Sequence, residues 1–140
     1  MTNWASDQIR PRWSRDGQRI HFGSMYGGKW QMWKVPANAA DTTAEQARLL
    51  TQEEGFEPEE SSDGKTIYFY RLTGQNLGEL YSVPAAGGAA TKVLDALVSH
   101  GWWALGLKGI FFAGMTPGKP GTPCRGPDVP SSFSASIHIV

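Results

Sequence analysis

The sequence predicts an all-β chain, a partial β-propeller of about two and a half four-stranded antiparallel blades. Three observations predict it. First, the stretch Pro11-Arg12-Trp13-Ser14-Arg15-Asp16-Gly17-Gln18-Arg19-Ile20-His21-Phe22 recurs as Pro58-Glu59-Glu60-Ser61-Ser62-Asp63-Gly64-Lys65-Thr66-Ile67-Tyr68-Phe69. Second, both copies carry Ser-x-Asp-Gly before an apolar run, and Asp-Gly tolerates the positive φ of a type I′ hairpin turn. Third, apolar residues alternate by two, where a helix needs spacings of three and four, and proline or glycine interrupts every run.

Residues 8–14 are the first strand, ending at the corner formed by Ser14, Asp16 and Gly17. Residues 19–24 follow, with Ile20 and Phe22 on one face and Arg19, His21 and Gly23 on the other. Gly27-Gly28 mark a loop. Residues 30–35 form the third strand, with Gln31, Trp33 and Val35 opposite Trp30, Met32 and Lys34, and Pro36 ends it because proline cannot donate to a sheet ladder. Beyond the polar linker 37–46, residues 47–51 supply a short fourth strand. The unit then restarts: Ser14 and Ser61, Asp16 and Asp63, Ile20 and Ile67, and Phe22 and Phe69 share one offset. Trp33 and Tyr81, Val35 and Val83, and Pro36 and Pro84 follow with one added residue, accommodated in the loop between the second and third strands. Residues 92–95 repeat the fourth strand. A third start is read in 101–105 and 109–112, with Leu107-Lys108-Gly109 replacing the corner.

The expected organisation is propeller blades over 1–113, with blade one at 8–51, blade two at 56–95 and the start of blade three at 101–113. A Pro/Gly/Ser-rich insert at 114–134, loop-like or disordered by composition, precedes a further strand of blade three at 135–140. Ile67 and Phe69 alternate with Tyr68 and Tyr70, so both faces of that strand are apolar, as expected where a neighbour covers each side of a blade.

The 140 residues carry 13 basic and 13 acidic side chains, a formal net charge of zero, so the sequence has no electrostatic footprint for nucleic acid or an anionic membrane. Cys124 is the single cysteine, which excludes an internal disulfide and a multi-cysteine metal site and leaves the compartment open. Residues 1–10 lack an export-signal pattern, and no apolar run is long enough to span a bilayer.

The repeated corners, Trp33-Lys34-Val35-Pro36-Ala37, and Gly55-Phe56-Glu57-Pro58 before the second corner resemble the WD40-like repeats of TolB-type β-propellers across most of 8–113. The run Leu80-Tyr81-Ser82-Val83-Pro84-Ala85-Ala86-Gly87-Gly88 is similar to the penultimate blade, and Trp103-Ala104 with Gly109-Ile110-Phe111-Phe112 to the last blade, of large bacterial proteins. In those proteins such a propeller follows a winged-helix or kinase domain. The resemblance implies recognition of a protein partner or ligand, or packing against remaining blades, by the C-terminal part of a sensor or transcriptional regulator. Two alternatives stay open: part of the gating propeller of a prolyl-oligopeptidase-type serine peptidase, and a remnant fragment without independent function. Glu60 departs from the pattern by standing where the first copy has Trp13, which predicts a less firmly anchored inner strand.

No catalytic constellation, cofactor motif or metal motif is present. Gly-x-Ser-x-Gly is absent, His21, His100 and His138 fall in different units, and no His/Glu spacing matches a metal site. Gly27-Gly28 and Gly87-Gly88 lack the following helix of a phosphate cradle. The acidic run Glu53, Glu54, Glu57, Glu59, Glu60 and Asp63 reads as a solvated loop. Asp16, Gly17, Asp63 and Gly64 read as structural turns, and Trp13, Trp30, Trp33, Trp102 and Trp103 mainly as packing between blades. Alternating strand direction gathers Tyr26, Trp30, Glu53, Phe56, Arg71, Gln75, Asn76, His100 and Trp102 on one face, and aromatics mixed with arginine and histidine are what binding hot spots use. The incomplete ring also predicts self-association through open blade edges.

Overall fold

The computed structural model describes residues 6–38, 46–115 and 134–138, so most of the expected insert at 114–134 lies outside the described residues. These residues contain strands, turns and a single residue of 3₁₀ helix, with no helix able to cross a membrane. Four strands, β1 (Gln8–Trp13), β2 (Arg19–Ser24), β3 (Gln31–Pro36) and β4 (Arg48–Leu49), form an antiparallel sheet in chain order. The second unit repeats this arrangement with β5 (Phe56–Glu60), β6 (Thr66–Leu72), β7 (Leu77–Pro84) and β8 (Thr91–Lys92). A third unit follows as β9 (Leu97–Gly106), β10 (Gly109–Met115) and β11 (Ser134–His138). The fold is thus all-β, made of antiparallel blade-like sheets.

The two Ser-x-Asp-Gly corners are built alike. The Ser14 hydroxyl donates to Asp16 Oδ1 at 2.5 Å, and that oxygen also accepts from the Gln18 backbone at 2.9 Å. Ser61 donates to Asp63 Oδ1 at 2.7 Å, which accepts from the Lys65 backbone at 3.1 Å. The serine hydroxyls, foremost, hold both carboxyls below the usual carboxylate range. The turns are not the expected type I′: only Gly17 (φ 68°) and Gly64 (φ 71°) are left-handed within them, and the Gly N–H closes back on the Ser carbonyl at 2.9 and 3.0 Å. The aspartate side chain caps the following N–H, so a wider corner satisfies its donors without a second left-handed residue.

Alternation sorts the apolar residues into layers. Ile67 and Phe69 of β6 and Val83 of β7 cluster with Met32 and Leu50 of the first unit, closing one blade on the next. The opposite face of the second blade places Tyr70 and Leu80 with Leu94, Val98, Ile110 and Phe112, the last three from the third unit. Phe22, Val35 and Ala47, with Ile20 and Trp33 beside them, form a separate cluster on the far face of the first sheet. Ile20/Phe22, Ile67/Phe69 and Ile110/Phe112 therefore stand at matching positions in successive layers. Between the first two layers, Lys34 Nζ donates to the Ala85 carbonyl at 2.8 Å.

The third unit is joined to the second blade more closely than the repeat predicts. Because β8 pairs only Thr91 and Lys92 with the far end of β7, the near end of that edge is open, and β9 takes it through Leu77↔Ser99 and Gly78↔Val98. The result is one seven-stranded sheet. Tyr70 locks this junction, its hydroxyl donating to the Val98 carbonyl at 3.2 Å. Two tryptophans also depart from the packing expectation: Trp13 is 64% and Trp102 70% exposed, the first on β1 and the second on β9.

Candidate functional site

The inner strands β1, β5 and β9 run beside one another, and each carries an irregularity near the same end. The ladder from β1 to β2 shifts register between Ile9 and Arg12, that from β5 to β6 between Phe56 and Glu59, and that from β10 to β9 between Phe112 and Gly114. Bulges re-aim side chains. Arg10 (φ 52°) and Glu57 (φ 58°) are the non-glycine residues with positive φ among those described, and Gly101 (φ 75°) is the left-handed residue of β9. Such backbone strain in non-glycine residues costs of order 1–3 kcal/mol each and concentrates at functional sites.

These three positions meet. Arg10 Nε lies 3.2 Å from Glu57 Oε1, and His100 Nε2 lies 3.3 Å from the same oxygen. Trp103 Nε1 donates to Glu57 Oε2 at 2.9 Å. The glutamate side chain is only 7% exposed, whereas Arg10 is 48% and His100 41% exposed, so a buried carboxylate lies behind two accessible groups. Its Oε1 accepts no hydrogen bond of good geometry despite these two neighbours. A Cβ built on Gly101 would stand 3.2 Å from Arg10 Nη2, so glycine there permits the close approach of β9.

An aromatic wall backs the cluster. Phe56 packs edge-on against Tyr70 and His100, both at 5.4 Å between ring centres, and Trp30 lies 6.0 Å from Phe56. His100 is fixed further by its backbone N–H, which donates to the Asn76 carbonyl at 3.0 Å. Burial, with the Glu57 charge adding to it, pushes the Tyr70 hydroxyl up to about 12.

Of the residues grouped by strand direction, Trp30, Phe56, Asn76 and His100 are brought together here, and Trp102 follows Gly101 directly. Tyr26 lies elsewhere, edge-on to Trp33 at 5.7 Å on the far face of the first sheet. Arg71 also lies apart, its guanidinium 5.4 Å from the Tyr81 ring centre. Glu53 and Gln75 are exposed loop residues. The acidic run is not a uniformly solvated loop, because Glu57 and Glu60 within it are buried and bonded across to other units. The centre of the cluster, Arg10 and Glu57, was missed, although a signal exists: Arg10-Pro11-Arg12 and Glu57-Pro58-Glu59 occupy the same place in successive repeats with opposite charge. Arg12 Nε accordingly donates to Glu59 Oε1 at 2.8 Å, forming a second rung beside Arg10 and Glu57. Among the described residues, no three His, Cys, Asp or Glu side chains come together as metal ligands.

No family model matches the sequence, and no curated protein is significantly similar to it. Solved structures do share its architecture. A protein assigned as TolB from Agrobacterium tumefaciens superposes with a TM-score of 0.62 at 18% identity, over 84% of this chain and 41% of that one. TolB from Acinetobacter baumannii gives 0.52 at 17% identity, over 79% and 29%. An oligogalacturonate lyase in complex with manganese gives 0.53 at 20% identity, over 75% and 28%. The chain therefore has a TolB-like β-propeller fold and spans about two fifths or less of the length of these proteins.

Proposed function

We propose that this chain is a non-catalytic recognition segment of a TolB-like propeller, serving as the C-terminal part of a larger bacterial sensor or regulatory protein. Its binding end is the inner-strand cluster, where Arg10, His100 and Trp102 are offered to a protein or ligand and Trp30 and Phe56 back them. The observation that carries this reading is the meeting of left-handed Arg10, Glu57 and Gly101 at one buried carboxylate, around which the accessible side chains of Arg10 and His100 gather. Arginine and tryptophan are also the side chains that dominate binding energy at interfaces. In this reading the effector chemistry belongs to another domain.

Peptide display on the 140-residue chain, with counter-selection on Arg10→Gln/Trp102→Ala, tests the assignment. Enriched sequences are expected to bind the natural chain at least about tenfold more tightly than the variant, the opposing results being equal binding, or no enrichment together with no binding of trigalacturonate. The likeness to oligogalacturonate lyase supports a second reading, in which the segment belongs to a lyase. Formation of unsaturated oligouronates on incubation with oligogalacturonate and manganese would replace the recognition reading with that one.

A further inference from the structure

The free faces of the inner-strand cluster define a ligand chemistry, and this step rests on the recognition reading above. Glu57 engages Arg10 through Nε, which leaves both terminal nitrogens of a half-exposed guanidinium for another acceptor. It engages His100 through Nε2, so Nδ1 can donate to an incoming carboxylate only when the ring is an imidazolium. The carboxylate is itself buried and tied to Trp103, so it works as a fixed rear support. Gly101 lets β9 approach within reach of Arg10 Nη2, and Trp102 next to it is exposed.

We infer that Arg10, assisted by His100, forms a receptor for a carboxylate. A planar guanidinium with two free nitrogens matches a carboxylate in a bidentate manner, and such charge-assisted bonds are strong and geometrically selective. The 3.2 Å ion pair with Glu57 offsets the arginine charge and restrains the guanidinium before an acid arrives. The acid group can come from a peptide C-terminus or from a sugar acid, which share this chemistry.

Calorimetric titration of the full chain with two pairs of probes tests the inference and separates the sources: a hydrophobic tetrapeptide as free acid and as amide, and trigalacturonate and its methyl ester. At least one free acid is expected to bind saturably, with its amide or ester at least about tenfold weaker. Arg10→Lys, which keeps charge and loses the planar fork, and His100→Gln are each expected to weaken the acid at least about fivefold. Thermal melts of both variants matched to the natural chain ensure that the loss is local. Absence of binding by both acids, or amide and ester binding as tightly as the acids, overturns the carboxylate assignment. Display-selected peptides that need Arg10 and Trp102 and bind equally as amides would leave recognition standing while ending the acid receptor.

Discussion

The carboxylate of Glu60, on the inner strand of the second blade, accepts a hydrogen bond from the backbone N–H of Arg15 in the corner of the first blade. The Arg15 guanidinium returns the contact through Nη2 to the Glu60 carbonyl at 3.4 Å. A residue that the repeat marks as a departure is therefore a tie between blades. Glu60→Ala is expected to destabilise the chain by about 1–2 kcal/mol, the range for a charge-assisted bond at a partly wet site. Glu60→Gln, which keeps an acceptor, should lose less. A lower urea midpoint with an unchanged slope checks this, whereas unchanged midpoints for both variants would show the tie to be energetically idle.

A second prediction concerns how near the blades lie. A Cβ on Gly23 of β2 would fall 2.8 Å from Phe56 Cβ on β5, closer than real Cβ contacts allow. The neighbouring atom is the base of a side chain fixed to the backbone, so it cannot swing aside. Gly23→Ala is expected to cost about 1–3 kcal/mol as overpacking and to separate the first two blades. Equilibrium unfolding measures the loss, and a neutral effect would contradict the close approach.

The layers were legible because Asp16-Gly17 and Asp63-Gly64 fix the corners, and because strict alternation through Ile20/Phe22 and Ile67/Phe69 sets which residues face which neighbour. Two features were harder to read. The attachment of β9 to β7 follows from a long-range edge left open by the shortness of β8, and edge availability has no local sequence signature. The pairing of Arg10 with Glu57 was encoded as opposite charge at matching repeat positions, yet each residue alone looks like an ordinary surface charge. Their left-handed backbones arise from the bulges, and a bulge is set by the pairing of two strands.

Stability should fall in mild acid because of His21. Burial first, then the charges of Lys34 and Arg19, push its imidazole down to about 4 from its ordinary 6.5. The unfolded chain takes up a proton near the ordinary value, while the folded chain resists until about 4. The contribution is thus complete above about pH 6.5 and is lost as pH falls from there toward 4, with a ceiling on the order of 3 kcal/mol. Urea unfolding at about pH 7.5 and about pH 5, on either side of the ordinary histidine value, should show this drop in the natural chain and a shallower one in His21→Leu. Parallel pH profiles for the two proteins would exclude His21 as the source.

The far face of the first sheet leads to the last prediction. In the second blade, Ile67 and Phe69 are covered by Met32 and Leu50 of the unit before it, and in the third unit Ile110 and Phe112 are covered by Leu80 and Leu94. Ile20 and Phe22 occupy the matching positions, and among the described residues their cluster is completed by Trp33, Val35 and Ala47 of their own unit. Exposed Leu49 and Tyr26 extend this apolar face, Leu49 pairing with Trp33 across the strands and Tyr26 packing on its ring. Phe22, Val35 and Ala47 are themselves buried, so what this face offers to another surface is the half-exposed pair Leu49 and Tyr26. The 140-residue chain is therefore expected to self-associate as its concentration rises, and Tyr26→Glu with Leu49→Lys should weaken that association by at least about tenfold while leaving the circular dichroism spectrum unchanged. Sedimentation velocity across a roughly hundredfold range of concentration decides the matter, with a compact, cooperatively melting monomer throughout as the contrary outcome.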